Sequence, residues 1–155
     1  MAWLRRLDGQ TRAYALNPSI LNEKLARQEG VLTLWDLPDV LIDRARGLPL
    51  DYVFPSSGTV VIDDMIALVR GARHPDAALR FIDWAGGDEA LLLAARGVFR
   101  LPARRDLPPD SLPAWVADVE QRMLEAEIDW QLVAREGPGW MAYWDQRVRG
   151  TGTKQ

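Results

Sequence analysis

Two polar clusters close apolar runs in this chain, and both carry side chains able to hold a small ligand. Trp35-Asp36 ends the run Val31–Trp35, and Ser56-Ser57-Gly58-Thr59 follows Leu50–Phe54 and Pro55. An aromatic ring beside a carboxylate suits an organic solute bearing hydroxyls or an amine. The carboxylate accepts its hydrogen bonds and the ring covers an apolar face. The hydroxyls and backbone N–H groups of Ser56, Ser57, Gly58 and Thr59 suit a phosphate, a carboxylate or sugar hydroxyls. Each residue also has a plain structural use. Asp36 precedes Leu37-Pro38-Asp39 and fits a helix N-cap. Trp35 fits a core position, and the Pro-Ser-Gly sequence fits an ordinary turn.

Other chemistry finds little support. Asp63-Asp64 interrupts an apolar stretch, which reads as a solvated bend or hinge; one carboxylate pair with no histidine nearby is a poor metal site. His74 is the sole histidine, and no Gly-x-Ser-x-Gly elbow supplies a nucleophile for it. The chain has no cysteine, which excludes disulfides, thiolate catalysis and zinc–thiolate sites. Gly86-Gly87 and Gly150-Thr151-Gly152 match neither a P-loop nor a dinucleotide fingerprint. The expectation is therefore binding without catalysis, with no cofactor and no metal.

The elements that must position the two clusters follow from spacing. Residues 31–35 and 50–54 read as short strands, and residues 37–46 between them read as a helix that Gly47 ends. Two strands joined by such a helix predict a βαβ crossover and a parallel sheet. Ligands of such sheets sit at the carboxyl ends of the strands, where both polar clusters fall. Residues 59–69, TVVIDDMIALV, read as two further strands separated by Asp63-Asp64. The rest is helical. A helix over residues 19–29 is closed by Gly30. Helices at 75–85 and 89–96 flank Gly86-Gly87. A Pro-rich irregular segment spans 97–113, and helices follow at 113–127 and 138–149, with Pro138 in a first turn. Most of the seven tryptophans fall at core-like spacing on these helices.

Three stretches carry a family resemblance. They are GVLTLWDLPDVLIDRARGLPLDYVFP, then SSGTVVIDDMIALVRGARHPDAALRFIDW with its Pro-x-x-Gly-Thr turn and His-Pro-x-Ala-Ala helix, and the Pro-rich FRLPARRDLP before the tryptophan-bearing helices. Together they resemble the C-terminal half of a bacterial ABC-transporter periplasmic substrate-binding protein, in the branch for ferric iron, polyamine-like or phosphorylated solutes. The resemblance implies a type II fold of two α/β lobes. Residues 1–57 would end the second lobe, 58–74 would form the crossover or hinge, and 75–155 would be helices packing on a largely missing first lobe. The resemblance also implies Trp35, Asp36, Ser56, Ser57, Gly58 and Thr59 as the second-lobe half of the solute site. Iron-binding members carry adjacent tyrosines where Trp35-Asp36 stands here. No Tyr-Tyr pair occurs in this chain, so the implied ligand is a small polar organic solute rather than ferric iron.

The fold class expected on these grounds is α/β: a partial binding-protein fold with a small, mostly parallel sheet and a helix-rich C-terminal half. The implied partners are the solute and the permease subunits of an ABC importer. The missing lobe or a second copy of the chain would cover exposed strand edges. The parent would work in the periplasm or outside the cell, although Met1-Ala2-Trp3-Leu4-Arg5-Arg6 lacks a signal-like apolar region. A net charge of −3 with interspersed Arg, Asp and Glu gives no reason to expect nucleic acid. Apolar runs are too short to span a bilayer. The alternatives are a helical protein–protein interaction module and a truncated product without ligand binding.

Overall fold

The computed structural model describes residues 2–15, 17 and 19–150. Helices form where the sequence supplies starts and stops. They are α1 (Ala2–Gln10), α2 (Ser19–Ala26), α3 (Leu37–Ala45), α4 (Pro75–Ala85), α5 (Asp88–Val98), α6 (Ala114–Arg122) and α7 (Trp130–Arg147), with a 3-10 turn at Pro109–Ser111. Asp36 is the N-cap of α3, and Pro38 lies in its first turn, where a missing N–H costs nothing. Gly47 follows α3 at φ 91°, a conformation that costs glycine little. α4 starts on Pro75 and closes when Gly86 N–H donates to the Ile82 carbonyl at 3.1 Å. Asp88 and Glu89 in the first turn of α5 complement its dipole.

The chain divides into two compact units. One comprises the described residues of Met1–Thr33 and Glu127–Gln155, with α1, α2 and α7. Val148, Asn22 and Asp8 are fully buried there. The Asp8 carboxylate accepts hydrogen bonds from the Tyr14 hydroxyl at 2.7 Å and from Gly150 N–H at 2.9 Å. Tyr14 meets the Trp144 ring edge-on at 5.8 Å. A buried carboxylate thus ties α1 to the residues that follow α7.

The other unit is Leu34–Ala126. Its core is small: Leu41 of α3, Ala90 and Ala95 of α5, Leu107, and Val116 and Val119 of α6. Trp115 roofs it, donating its indole N–H to the Ala95 carbonyl at 3.2 Å and packing on Phe99 at 5.8 Å. Arg104 clasps the α4–α5 corner. It donates to Asp88 at 2.8 Å and to the Gly86 carbonyl at 3.2 Å, while pairing with Asp106 at 2.7 Å. The Asp106 bond raises the guanidinium pKa and lowers the carboxyl pKa.

No sheet forms among the described residues, so the expected α/β fold with a parallel sheet is corrected to a helical one. The described residues are 53% helix and 1% strand. Among the described residues, one β-bridge forms, joining Thr59 and Glu125 in parallel. Residues 31–35, 50–54 and 60–69 are neither helical nor paired. The physical reason is that a strand exists only through a neighbour that takes its backbone bonds. These β-forming segments find none in each other. The two-lobe binding-protein fold inferred from the resemblance is corrected on the same ground, because its lobes are built on sheets.

Two helical details also differ from expectation. α1 was not legible in the sequence. α7 begins at Trp130, not near Pro138, and carries that proline in its interior. Asp129 makes the early start, its side chain accepting from Leu132 N–H at 2.9 Å.

Candidate functional site

Trp35 and Asp36 sit at the mouth of α3, and both are exposed. The Trp35 indole N–H donates to the Asp39 carboxylate, one turn into the helix. That bond fixes the ring and leaves it 42% exposed. Asp36 occupies the N-cap position with extended backbone (φ −71°, ψ 135°), yet its side chain makes no capping bond. Its carboxylate therefore stands free at the helix N-terminus.

The Ser56–Thr59 turn is built from the other side. Gly58 N–H donates to the Pro55 carbonyl at 3.0 Å. Gly58 takes φ 105° and lies against Ala126, where a β-carbon would come within 3.0 Å of the Ala126 Cα. Only glycine permits that approach. Thr59 N–H then donates to the Leu124 carbonyl at 2.7 Å, and Ala126 N–H donates to the Thr59 carbonyl at 2.9 Å. Ser56 and Ser57 are exposed. The Thr59 hydroxyl oxygen is buried without a hydrogen-bond partner, an arrangement that costs free energy unless a ligand or water completes it.

All six residues lie in the Leu34–Ala126 unit. No hydrogen bond joins Trp35 or Asp36 to the 56–59 turn among the described residues. Asp63 and Asp64 are exposed, and Asp64 is held by Arg100 at 3.1 Å. His74 precedes α4 at its N-cap without a side-chain capping bond.

A further cluster was missed by sequence reasoning. The Tyr52 hydroxyl donates to Asp118 at 3.3 Å, and Arg122 donates to the same carboxylate at 2.9 Å. The Arg122 guanidinium lies over Tyr52 at 5.1 Å and over Phe54 at 5.8 Å, and Arg44 lies over Tyr52 at 5.7 Å. Burial raises the Tyr52 pKa against the opposing pull of Arg122. The Asp118–Arg122 spacing was a readable helical pair. Its meeting with Tyr52 was not readable, because 66 residues separate Tyr52 from Asp118. In the first unit, a cavity of about 250 Å³ is lined by Arg12, Ala13, Lys24 and Glu29. Lys24 pairs with Glu29 there at 2.6 Å, and this hydrogen bond lowers the Glu29 pKa. Among the described residues, no three His, Asp or Glu gather to hold a metal ion. No described helix is long and apolar enough to cross a membrane.

No family model matches the chain. No solved structure matches it. A Haemophilus influenzae strain Rd protein, described only as an uncharacterized protein, is 29% identical over 92 residues. The match spans 59% of this chain and 27% of that relative. These comparisons lend nothing to the resemblance to a periplasmic substrate-binding protein. With the sheet absent as well, that assignment is withdrawn.

Proposed function

We propose that this chain binds a small polar organic solute through Trp35, Asp36 and the Ser56–Thr59 turn. One observation carries the reading: two polar side chains at these positions, Asp36 and Thr59, are not spent on hydrogen bonds within the fold. The Asp36 carboxylate makes no cap bond, and the Thr59 hydroxyl lacks a partner. Asp39 holds the Trp35 ring in place for stacking. A carboxylate, hydroxyls and a ring together recognise hydroxyls, amines and an apolar face in one ligand. The arrangement offers no paired nucleophile and base, so the reading is binding rather than turnover.

The surface is open, so binding by this chain is weak, and the test must register weak binding. Amide and indole NMR resonances are followed as polyamines, sugar phosphates and amino acids are added. Saturable shifts confined to Trp35, Asp36 and residues 56–59 support the reading. Shifts elsewhere only, or none, sink it.

A second reading, docking to another protein, is favoured by exposed apolar side chains. α7 exposes Trp130, Trp140 and Met141, and the unpaired segments expose Val31, Leu34 and Val53. Large apolar side chains exposed on each unit suit contacts with another protein. A thermal shift separates the two readings, because only a species that binds the folded state stabilises it.

A further inference from the structure

The cavity in the first unit has walls set by local chain geometry. α2 ends in a left-handed turn: Gln28 takes φ 60°, and Glu29 N–H donates to the Lys24 carbonyl at 2.9 Å. That turn folds Glu29 back beside Lys24, where the two side chains pair at 2.6 Å. Arg12 and Ala13 form the rest of the lining, between two residues anchored to α1. Thr11 donates its hydroxyl to the Leu7 carbonyl at 2.8 Å, and Tyr14 donates its own to Asp8 at 2.7 Å. The space these residues bound is about 250 Å³. Its charges are unevenly spent. Glu29, the carboxylate among the described lining residues, is already taken by Lys24. Arg12 makes no hydrogen bond or ion pair among the described residues. The Lys24 bond first, and the Arg12 charge well after it, lower the Glu29 pKa. The guanidinium is thus felt across the cavity without closing on it.

We propose that this cavity binds a small monocarboxylate, with Arg12 taking its anionic end. Charge selects the ligand. The Lys24–Glu29 pair is neutral, so Arg12 leaves one positive charge to be matched, and a monocarboxylate carries one negative charge. The guanidinium fork fits a carboxylate through two parallel N–H donors. A phosphate monoester brings close to two negative charges and sets the surplus against Glu29. A cationic ligand meets Arg12 and Lys24 and is repelled. Size points the same way: the cavity falls below the range of about 300–1,000 Å³ that holds drug-sized ligands, so its occupant has few atoms. The Lys24 and Glu29 side chains stay half-buried, so water and salt compete and binding is weak. Arg12, Lys24 and Glu29 all belong to the first unit, and this inference does not depend on the solute-binding reading of Trp35 and Asp36.

Titration of the full chain with lactate, followed by amide NMR, tests the site. Saturable shifts are expected at Arg12, Ala13, Lys24 and Glu29. Lactamide, the uncharged analogue of similar size, is expected to cause none. Arg12→Gln should weaken lactate binding by roughly tenfold or more, and Arg12→Lys, which keeps the charge but loses the fork, should lose part of that. Glu29→Gln should instead tighten binding severalfold, because it removes the carboxylate that competes for Lys24. Lost folding cannot mimic a gain, so this variant decides the matter even where an Arg12 variant loses structure. Glu120→Gln, on α6 of the other unit, makes the same change in net charge and should leave the affinity as it is. The absence of saturable shifts with lactate overturns the proposal, as do equal shifts with lactamide. So does an affinity unchanged in Glu29→Gln, or unchanged in a folded Arg12→Gln. Inorganic phosphate binding more tightly than lactate overturns it too, and so does an equal response to chloride, which is general anion screening.

Discussion

A buried carboxylate has to be satisfied from inside the protein, and Asp8 is satisfied by a phenol and a backbone amide. Burial first, and then the bond donated to Asp8, raise the Tyr14 pKa. A raised tyrosine pKa means that the fold favours the neutral phenol. Its contribution is therefore complete below the unfolded value of about 10 and is lost as pH rises through the higher folded value. Tyr52 shifts in the same direction. Stability measured by urea titration should hold through neutral pH and fall above about pH 10. Tyr14→Phe should flatten part of that fall, at a cost near neutrality of about 1 kcal/mol for the lost bond. An alkaline limb unchanged in Tyr14→Phe would show that this phenol is not linked to folding. At the candidate site, position was legible in the sequence but partnership was not. Asp36 is the N-cap residue, as its place before Leu37-Pro38-Asp39 indicated. That its side chain makes no capping bond, and that the Trp35 indole selects Asp39, depend on side-chain rotamers no sequence pattern reports. Asp36→Ala should accordingly change thermal stability by no more than about 1 kcal/mol, the helix-dipole contribution of an exposed charge. If Asp36 contacts the solute, the same substitution should weaken solute binding by about 1–3 kcal/mol, the scale for a lost charged partner, and Asp36→Asn should lose part of that. A large stability loss in Asp36→Ala would return the residue to a structural role.

The turn that presents Ser56 and Ser57 depends on one glycine. Gly58→Ala adds a β-carbon within 3.0 Å of Ala126 and asks alanine to take φ 105°. It should destabilise the protein by about 1–3 kcal/mol and raise amide exchange at Thr59 and Ala126, whose bonds hold the turn down. Unchanged exchange at those two amides would mean that the turn tolerates the side chain. The helices around this turn were readable because their boundaries are local. Pro75 starts α4, Gly86-Gly87 separates α4 from α5, and Gly47 ends α3. The strands were misread for the opposite reason. Residues 31–35 and 50–54 have strand composition and lie either side of α3, but a ladder needs a partner at a distance, which composition does not record. α1 was missed because its stabilising contact also lies far along the chain: Asp8 is tied to Gly150 across 142 residues. α7 was begun late because Pro138 fits a first turn so well. In the structure Asp129 starts the helix, and Pro138 sits in its interior between Gly137 and Gly139, lacking the N–H that would bond the Ala134 carbonyl. Pro138→Ala should therefore stabilise α7 and raise thermal stability, provided the new N–H reaches that carbonyl. No gain would show that the backbone there already departs from helical bonding.

For the whole chain, the balance between buried and exposed apolar groups sets the response to denaturant. Among the described residues, the apolar ones that are buried are few and mostly small: three valines, two alanines and two leucines. Large apolar residues such as Val31, Val53 and Met65 lie almost fully open in the folded chain. The denaturant slope follows the surface newly exposed on unfolding, and these residues have little left to expose. A monomer of 155 residues should thus unfold in urea with a slope at or below the low end of about 1–3 kcal/mol per molar, where its length alone would place it near the top. A steep slope in dilute wild type would mean that these residues are already covered within one chain, against the exposure that defines them here.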